Sequence, residues 1–166
     1  MPAPWETPVS QQPVPARPTA AFIGASWVAL VIAVSAFGIG LWNAGMTDSE
    51  KGFYLATLLL GLFSAIALQK SVRDRAEGIP VTGIFLGLSW AMVLTSLVMV
   101  TVGLVNSGMT LSEKGFYGLA FAMSLFAAVA VQKNVRDLAA ANAAAGPSVV
   151  PPRPAVEQDV QATVWQ

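Results

Sequence analysis

The sequence predicts an all-α membrane protein of four transmembrane helices, built as two parallel-repeat helical hairpins with disordered proline-rich tails. Three observations predict it. Of 166 residues, 55% are hydrophobic and only 11% are charged, where an ordinary soluble domain carries roughly 25% charged. The charges are gathered into short clusters with long charge-free intervals between them. The two halves of the apolar region repeat one another without a gap.

The intervals place the helices. There are 30 uncharged residues between Arg17 and Asp48, 18 between Lys51 and Lys70, 35 between Glu77 and Glu113, and 18 between Lys114 and Lys133. A spanning helix needs about 20 mostly apolar residues. A helix on a soluble core keeps a polar face, and these segments have no charge on any face. Helices are therefore expected near 20–44, 51–70, 82–107 and 114–133. The second and fourth are short, roughly 27 Å of helix at about 1.5 Å per residue. Lys51 and Lys70, like Lys114 and Lys133, stand at their two ends, where long stems lie along apolar surface and the ammonium reaches the headgroups. The first and third have apolar length to spare and can tilt.

Residues 20–74 set against 83–137 give 25 identities in 55 positions, at an offset of 63. The longest block is Met46-Thr47-x-Ser49-Glu50-Lys51-Gly52-Phe53-Tyr54 against Met109-Thr110-x-Ser112-Glu113-Lys114-Gly115-Phe116-Tyr117. Others are Gln69-Lys70-x-Val72-Arg73-Asp74 against Gln132-Lys133-x-Val135-Arg136-Asp137, Ser26-Trp27 against Ser89-Trp90, and Gly40-Leu41-x-Asn43-x-Gly45 against Gly103-Leu104-x-Asn106-x-Gly108. Each repeat holds two helices, so both cross the membrane in the same sense, related by an axis along the membrane normal. The chain divides into a tail (1–19), a first repeat (20–74), a linker (75–82), a second repeat (83–137) and an Ala/Pro-rich tail (138–166).

The repeated blocks fall at helix ends. Asn43 and Gly45 close the first helix, and Asn106 and Gly108 the third, with glycine expected in the left-handed conformation that follows a helix. Thr47-x-x-Glu50 and Thr110-x-x-Glu113 read as capping boxes that open the next helix. Phe53, Tyr54, Phe116 and Tyr117 then fall at the depth where amphipathic rings meet the membrane surface. Lys70, Arg73, Lys133 and Arg136 complement the negative helix end. Lys70 with Asp74, and Lys133 with Asp137, have the (i, i+4) spacing of an ion pair. Small residues at Gly83-x-x-x-Gly87, Gly61-x-x-x-Ala65 and Ser124-x-x-x-Ala128 let backbones approach, within the chain or between copies. Trp27 and Trp90 read as packing and interface residues.

Seven basic residues (Arg17, Lys70, Arg73, Arg75, Lys133, Arg136, Arg153) fall on one side, and only Lys51 and Lys114 on the other. Positive charge favours the cytoplasm, so both termini and the middle loop are expected there. No cleavable signal peptide is expected, because the N-terminus lacks a basic region. The tails carry most of the prolines, with Trp5 and Trp165 near their ends, and have few apolar residues to order them.

Composition excludes several chemistries. There is no Cys and no His, hence no disulfide, thiol nucleophile or histidine base, and no catalytic, metal or cofactor residue is assigned. Nine basic residues balance nine acidic ones, which leaves no excess to hold nucleic acid. No charge falls inside a helix core, where proton relays and ion sites are built. The repeated charges Glu50, Lys51, Glu113 and Lys114 at one rim, and Lys70, Arg73, Asp74, Lys133, Arg136 and Asp137 at the other, are the candidate interaction residues. They serve either as caps and anchors or as a surface for a partner or an anionic lipid headgroup.

The doubled S-E-K-G-F-Y block followed by Q-K-x-V-R-D resembles the YiaA/YiaB family of bacterial inner-membrane proteins, built from a two-helix domain. The resemblance covers about 20–138, with Leu55 departing where the second copy has Gly118. It implies a bacterial inner-membrane location and supplies no mechanism. The expected function is a non-catalytic helix-packing protein, either an accessory subunit or a self-associating scaffold. The alternative is a small transporter or channel for an uncharged or hydrophobic solute. The expected partners are the lipid bilayer, further copies of the chain or a larger membrane complex.

Overall fold

A computed structural model describes residues 17–145. The proline-rich segments expected to be disordered, with Trp5, Trp165 and Arg153, lie outside the described residues. Four helices follow in order: α1 (Ala20–Asn43), α2 (Asp48–Ala76), α3 (Gly83–Asn106) and α4 (Leu111–Ala144). All four are long and apolar enough to cross a membrane.

Each helix opens on a threonine. Thr19, Thr47, Thr82 and Thr110 accept from the backbone N–H three residues on, which satisfies one of the orphan donors of a first turn. At Thr47 and Thr110 the glutamate at the third position also accepts from the cap backbone, so both capping boxes are complete. α1 and α3 close through asparagine. The Asn43 amide donates to Ile39 O and the Asn106 amide to Val102 O, each at 2.8 Å. The left-handed closure expected at Gly45 and Gly108 is absent: among the described residues only Gly78 has positive φ, at 76°. The residues after the two asparagines, Ala44 and Ser107, are already extended, so the chain turns without a left-handed residue.

Gly78 instead ends α2. Ile79 N–H donates to Asp74 O at 2.8 Å and Gly78 N–H to Arg75 O at 3.2 Å, the paired bonds of a Schellman motif, with Pro80 following. α2 and α4 therefore run past their apolar spans. The extensions hold Arg, Ala and Leu, all strong helix formers.

Connectivity is that of two hairpins, but the packing interlocks them. α1 lies chiefly along α4, and α2 along α3, while α2 and α4 meet in the centre. Each repeat's first helix therefore rests on the other repeat's second helix. Two matched seats make this possible. A methyl at Gly40 would stand 2.8 Å from Phe116 Cε1 and 3.3 Å from Tyr117 Cε1, and one at Gly103 would stand 2.8 Å from Phe53 Cε1 and 3.2 Å from Tyr54 Cε1. Only glycine admits the rings at this distance. Gly61 gives a third close approach, to Phe121 and Leu125.

The core sits toward the end that carries the two short loops. Phe37, Leu41, Tyr54, Leu58, Val100, Tyr117, Ala120 and Phe121 form it. Tyr54 and Tyr117 stack across the pseudo-twofold with centroids 6.3 Å apart, and Phe37 meets Tyr117 edge-on at 5.6 Å. The two tyrosines, expected at interface depth, turn toward the inside of the bundle and are buried in its core. Phe53 and Phe116 are the half-exposed members of each pair.

Candidate functional site

Both ends of the bundle hold the charged residues singled out in the sequence. At the short-loop end, each repeat builds the same clasp. Glu50 Oε2 accepts from Thr47 N and Oγ1, both at 2.8 Å, and Glu113 Oε2 accepts from Thr110 N and Oγ1 at 2.7 and 2.8 Å. These bonds, the backbone one first, hold both carboxyls below their ordinary pKa, because they favour the ionised form. Both glutamates precede the uncharged spans that begin at residues 52 and 115. The neighbouring lysines reach backward. Lys51 Nζ donates to Trp42 O at 3.2 Å and Lys114 Nζ to Val105 O at 3.1 Å. Each lysine thus binds a free carbonyl in the last turn of the preceding helix, where positive charge is favourable. Glu50 and Glu113, with Met46, Met109, Gly45 and Gly108, line one cleft of about 330 Å³ between the repeats.

At the opposite end the arginines form a chain of ion pairs. Arg73 Nη2 meets Asp74 Oδ1 at 2.7 Å, and its Nε lies 3.5 Å from Glu77 Oε1. The same Glu77 oxygen accepts from Arg136 Nη1 at 2.9 Å. Arg136 also meets Asp137 at 2.7 Å, and Lys133 meets Asp137 at 2.8 Å. Burial pushes the Asp137 carboxyl up, but the hydrogen bonds and charges of Lys133 and Arg136 outweigh it and hold its pKa below the ordinary value. Glu77 thereby ties α2 to α4.

Of the two pairs expected from spacing, Lys133–Asp137 forms. Lys70–Asp74 is not among the ion pairs of the described residues, and Asp74 is engaged by Arg73. Glu77 was not singled out from the sequence, although it stands at (i, i+4) from Arg73, the same spacing that marked the lysine pairs. Its place in the second repeat is taken by Ala140.

Between the two ends, the hydroxyls of the helices turn back on their own backbones. Thr57 donates to Phe53 O, Ser96 to Val93 O, Ser124 to Ala120 O and Ser89 to Phe85 O, at 2.7–2.8 Å. One polar bond crosses between helices, from Asn134 Nδ2 to Ser26 Oγ at 2.9 Å. Among the described residues no group of acidic, His or Cys side chains is placed to hold a metal ion.

The yiaA/B two helix domain is matched twice in this chain, over residues 22–74 and 85–137. The chain belongs to the YiaA/B family. Inner membrane protein YiaA of Escherichia coli strain K12 is 55% identical over 117 residues, which cover 70% of this chain and 81% of that protein. Uncharacterized membrane protein YubF of Bacillus subtilis strain 168 is 40% identical over 62 residues, 37% of this chain and 71% of the relative. No solved structure matches. The protein is thus an integral inner membrane protein of this family, and neither relative's name carries an activity.

Proposed function

We propose that this YiaA/B protein is a non-catalytic helix-packing protein of the inner membrane, serving other membrane helices as a scaffold or accessory subunit. The reading rests on how its reactive side chains are engaged. The glutamates of the short-loop end are held in capping boxes, the lysines beside them on carbonyls, and Arg73 and Arg136 of the other end in ion pairs. A catalytic group needs a nucleophile or base within reach of a bound substrate, and these groups serve the fold.

The outer faces of α1 and α3 complete the argument. Val28, Val31, Ile39 and Trp42 of α1, and Ile84, Leu94, Val98 and Val105 of α3, are all exposed. Open glycines lie among them: a methyl at Gly24, Gly38 or Gly87 would meet nothing within 4 Å. In lipid, such faces associate through close packing of small residues. The charge bias supports an orientation with both termini and the middle loop in the cytoplasm.

The test is gentle detergent extraction from native membranes followed by native mass analysis. Discrete assemblies, of self-copies or of a fixed set of companions, are the expected result. A lone chain of 17.3 kDa, under conditions that preserve known complexes, overturns the reading. Solute flux through reconstituted vesicles would replace it with the transporter alternative.

A further inference from the structure

At the arginine-rich end, a groove of about 500 Å³ runs between α2, α3 and α4. Leu68, Val72, Trp90, Val93 and Val129 make its apolar walls, and Gln69 and Arg73 border it toward the membrane surface. Two polar atoms at this border, Gln69 Oε1 and Arg73 Nε, are buried and have no hydrogen-bond partner among the described residues. The Glu77 carboxylate is 3.5 Å from that Nε, an ion-pair distance without a hydrogen bond. A buried guanidinium donor left unbonded is an unusual feature in a folded protein.

The second repeat has no equivalent vacancy in its bonding. Arg136 Nε donates to Asp137 at 3.1 Å, and both its Nη atoms are engaged. The repeated Gln-Lys-x-Val-Arg-Asp block therefore builds two different ends. In the second the arginine is fully bonded and the buried orphan is an acceptor, Asn134 Oδ1, whereas in the first the orphans include a donor, the buried Arg73 Nε, on a residue that lines a groove.

We propose that this groove binds one anionic phospholipid, with an acyl chain along the apolar walls and the phosphate on Arg73. Three observations fix the class of ligand. The walls are apolar. The volume lies within the ~300–1,000 Å³ of small-molecule sites. Arg73 is the charged residue of the groove lining, and the bundle end around it is net positive, with Lys70, Arg73, Arg75, Lys133 and Arg136 against Asp74, Glu77 and Asp137; clustered basic residues beside a membrane helix attract anionic headgroups. The lipid site is independent of the scaffold reading, since it concerns a different face and holds for a monomer.

The experiment titrates the full chain in mild detergent with dioleoylphosphatidylglycerol, and in parallel with dioleoylphosphatidylcholine, and counts bound lipids by native mass spectrometry. One phosphatidylglycerol per chain is expected, in preference to phosphatidylcholine. Arg73→Gln should weaken it about fivefold, the worth of one basic residue near an anionic surface, and Arg75→Gln, outside the groove lining, should weaken it clearly less. Ala65→Phe and Val129→Phe fill the groove from two different helices with every charge kept, and each should abolish the adduct while helix content by circular dichroism holds. These two decide the matter should Arg73→Gln fail to fold. Equal weakening by Arg73→Gln and Arg75→Gln means diffuse surface charge and overturns the site. So does unchanged binding in the two folded phenylalanine variants, or displacement by glycerol phosphate, which would mean a headgroup pocket without a chain.

Discussion

The interlocked packing depends most visibly on Gly40 and Gly103, and replacing either with leucine gives a decisive perturbation. At Gly103 the added Cβ would stand 2.8 Å from Phe53 Cε1 and 3.2 Å from both Tyr54 Cε1 and Tyr54 Oη. Phe53 is 37% exposed and can swing aside. Tyr54 is 3% exposed and stacks on Tyr117, so it has nowhere to go. Inserting one methyl into such a core costs about 1–3 kcal/mol, and the better helix propensity of alanine returns about 1 kcal/mol. Gly103→Ala therefore nets a loss of about 0–2 kcal/mol. Gly103→Leu drives three further carbons at the same ring and should lose about 3 kcal/mol. Gly38→Leu is the matched control, because a Cβ there meets nothing within 4 Å, so it should lose no stability and gain up to about 1 kcal/mol from helix propensity. Unfolding in mixed detergent, followed by tryptophan fluorescence and circular dichroism, measures all three. Equal losses for Gly103→Leu and Gly38→Leu would show that the seat does not exist.

Two further outcomes follow from the ends of the bundle. Glu50 and Glu113 have folded pKa values held below the ordinary range by the Thr47 and Thr110 bonds. Their contribution is therefore fully present above the unfolded value of about 4.3 and is lost as pH falls through the depressed folded value. Stability measured across acid pH should drop in this window, and the drop should shrink in a Glu50→Gln/Glu113→Gln double variant; an identical acid profile in that variant contradicts the capping geometry. Glu77→Gln removes the shared partner of Arg73 and Arg136. Its carboxylate is half exposed, so the loss should be at most about 1 kcal/mol and should vanish in high salt; a larger, salt-independent loss would mean that the α2–α4 tie is a buried one.

The helices themselves were legible because a run without charge has one stable home. The capping boxes were legible because Thr-x-x-Glu is a local chemistry that needs no knowledge of the partner helix. Helix pairing was not. All four spans are uncharged on every face, so no charged stripe tells which side turns inward. The repeat adds a degeneracy of its own. Gly40-Leu41 and Phe53-Tyr54 recur as Gly103-Leu104 and Phe116-Tyr117, and the same identities fit a ring seated in its own repeat or in the other. The burial of the tyrosines was not legible for the same reason, since distance from the helix start gives a depth and not the side a ring faces until the neighbour that buries it is known. At the arginine end, the (i, i+4) rule found Lys133–Asp137 and failed at Lys70–Asp74, because adjacent Arg73 reaches Asp74. Glu77 has no copy in the second repeat, so the repeat pattern passed over it.

The exchange of packing partners between the two repeats is tested most directly by cysteine pairing, which is clean in a chain without native cysteine. Ser26 on α1 and Asn134 on α4 touch through a 2.9 Å hydrogen bond, whereas α1 has little contact with α2, where Ser71 occupies the position equivalent to Asn134. In native membranes, oxidation of the Ser26→Cys/Asn134→Cys variant should give an internal cross-link, and the Ser26→Cys/Ser71→Cys variant should not. A cross-link in the second variant and none in the first would mean that each hairpin packs upon itself.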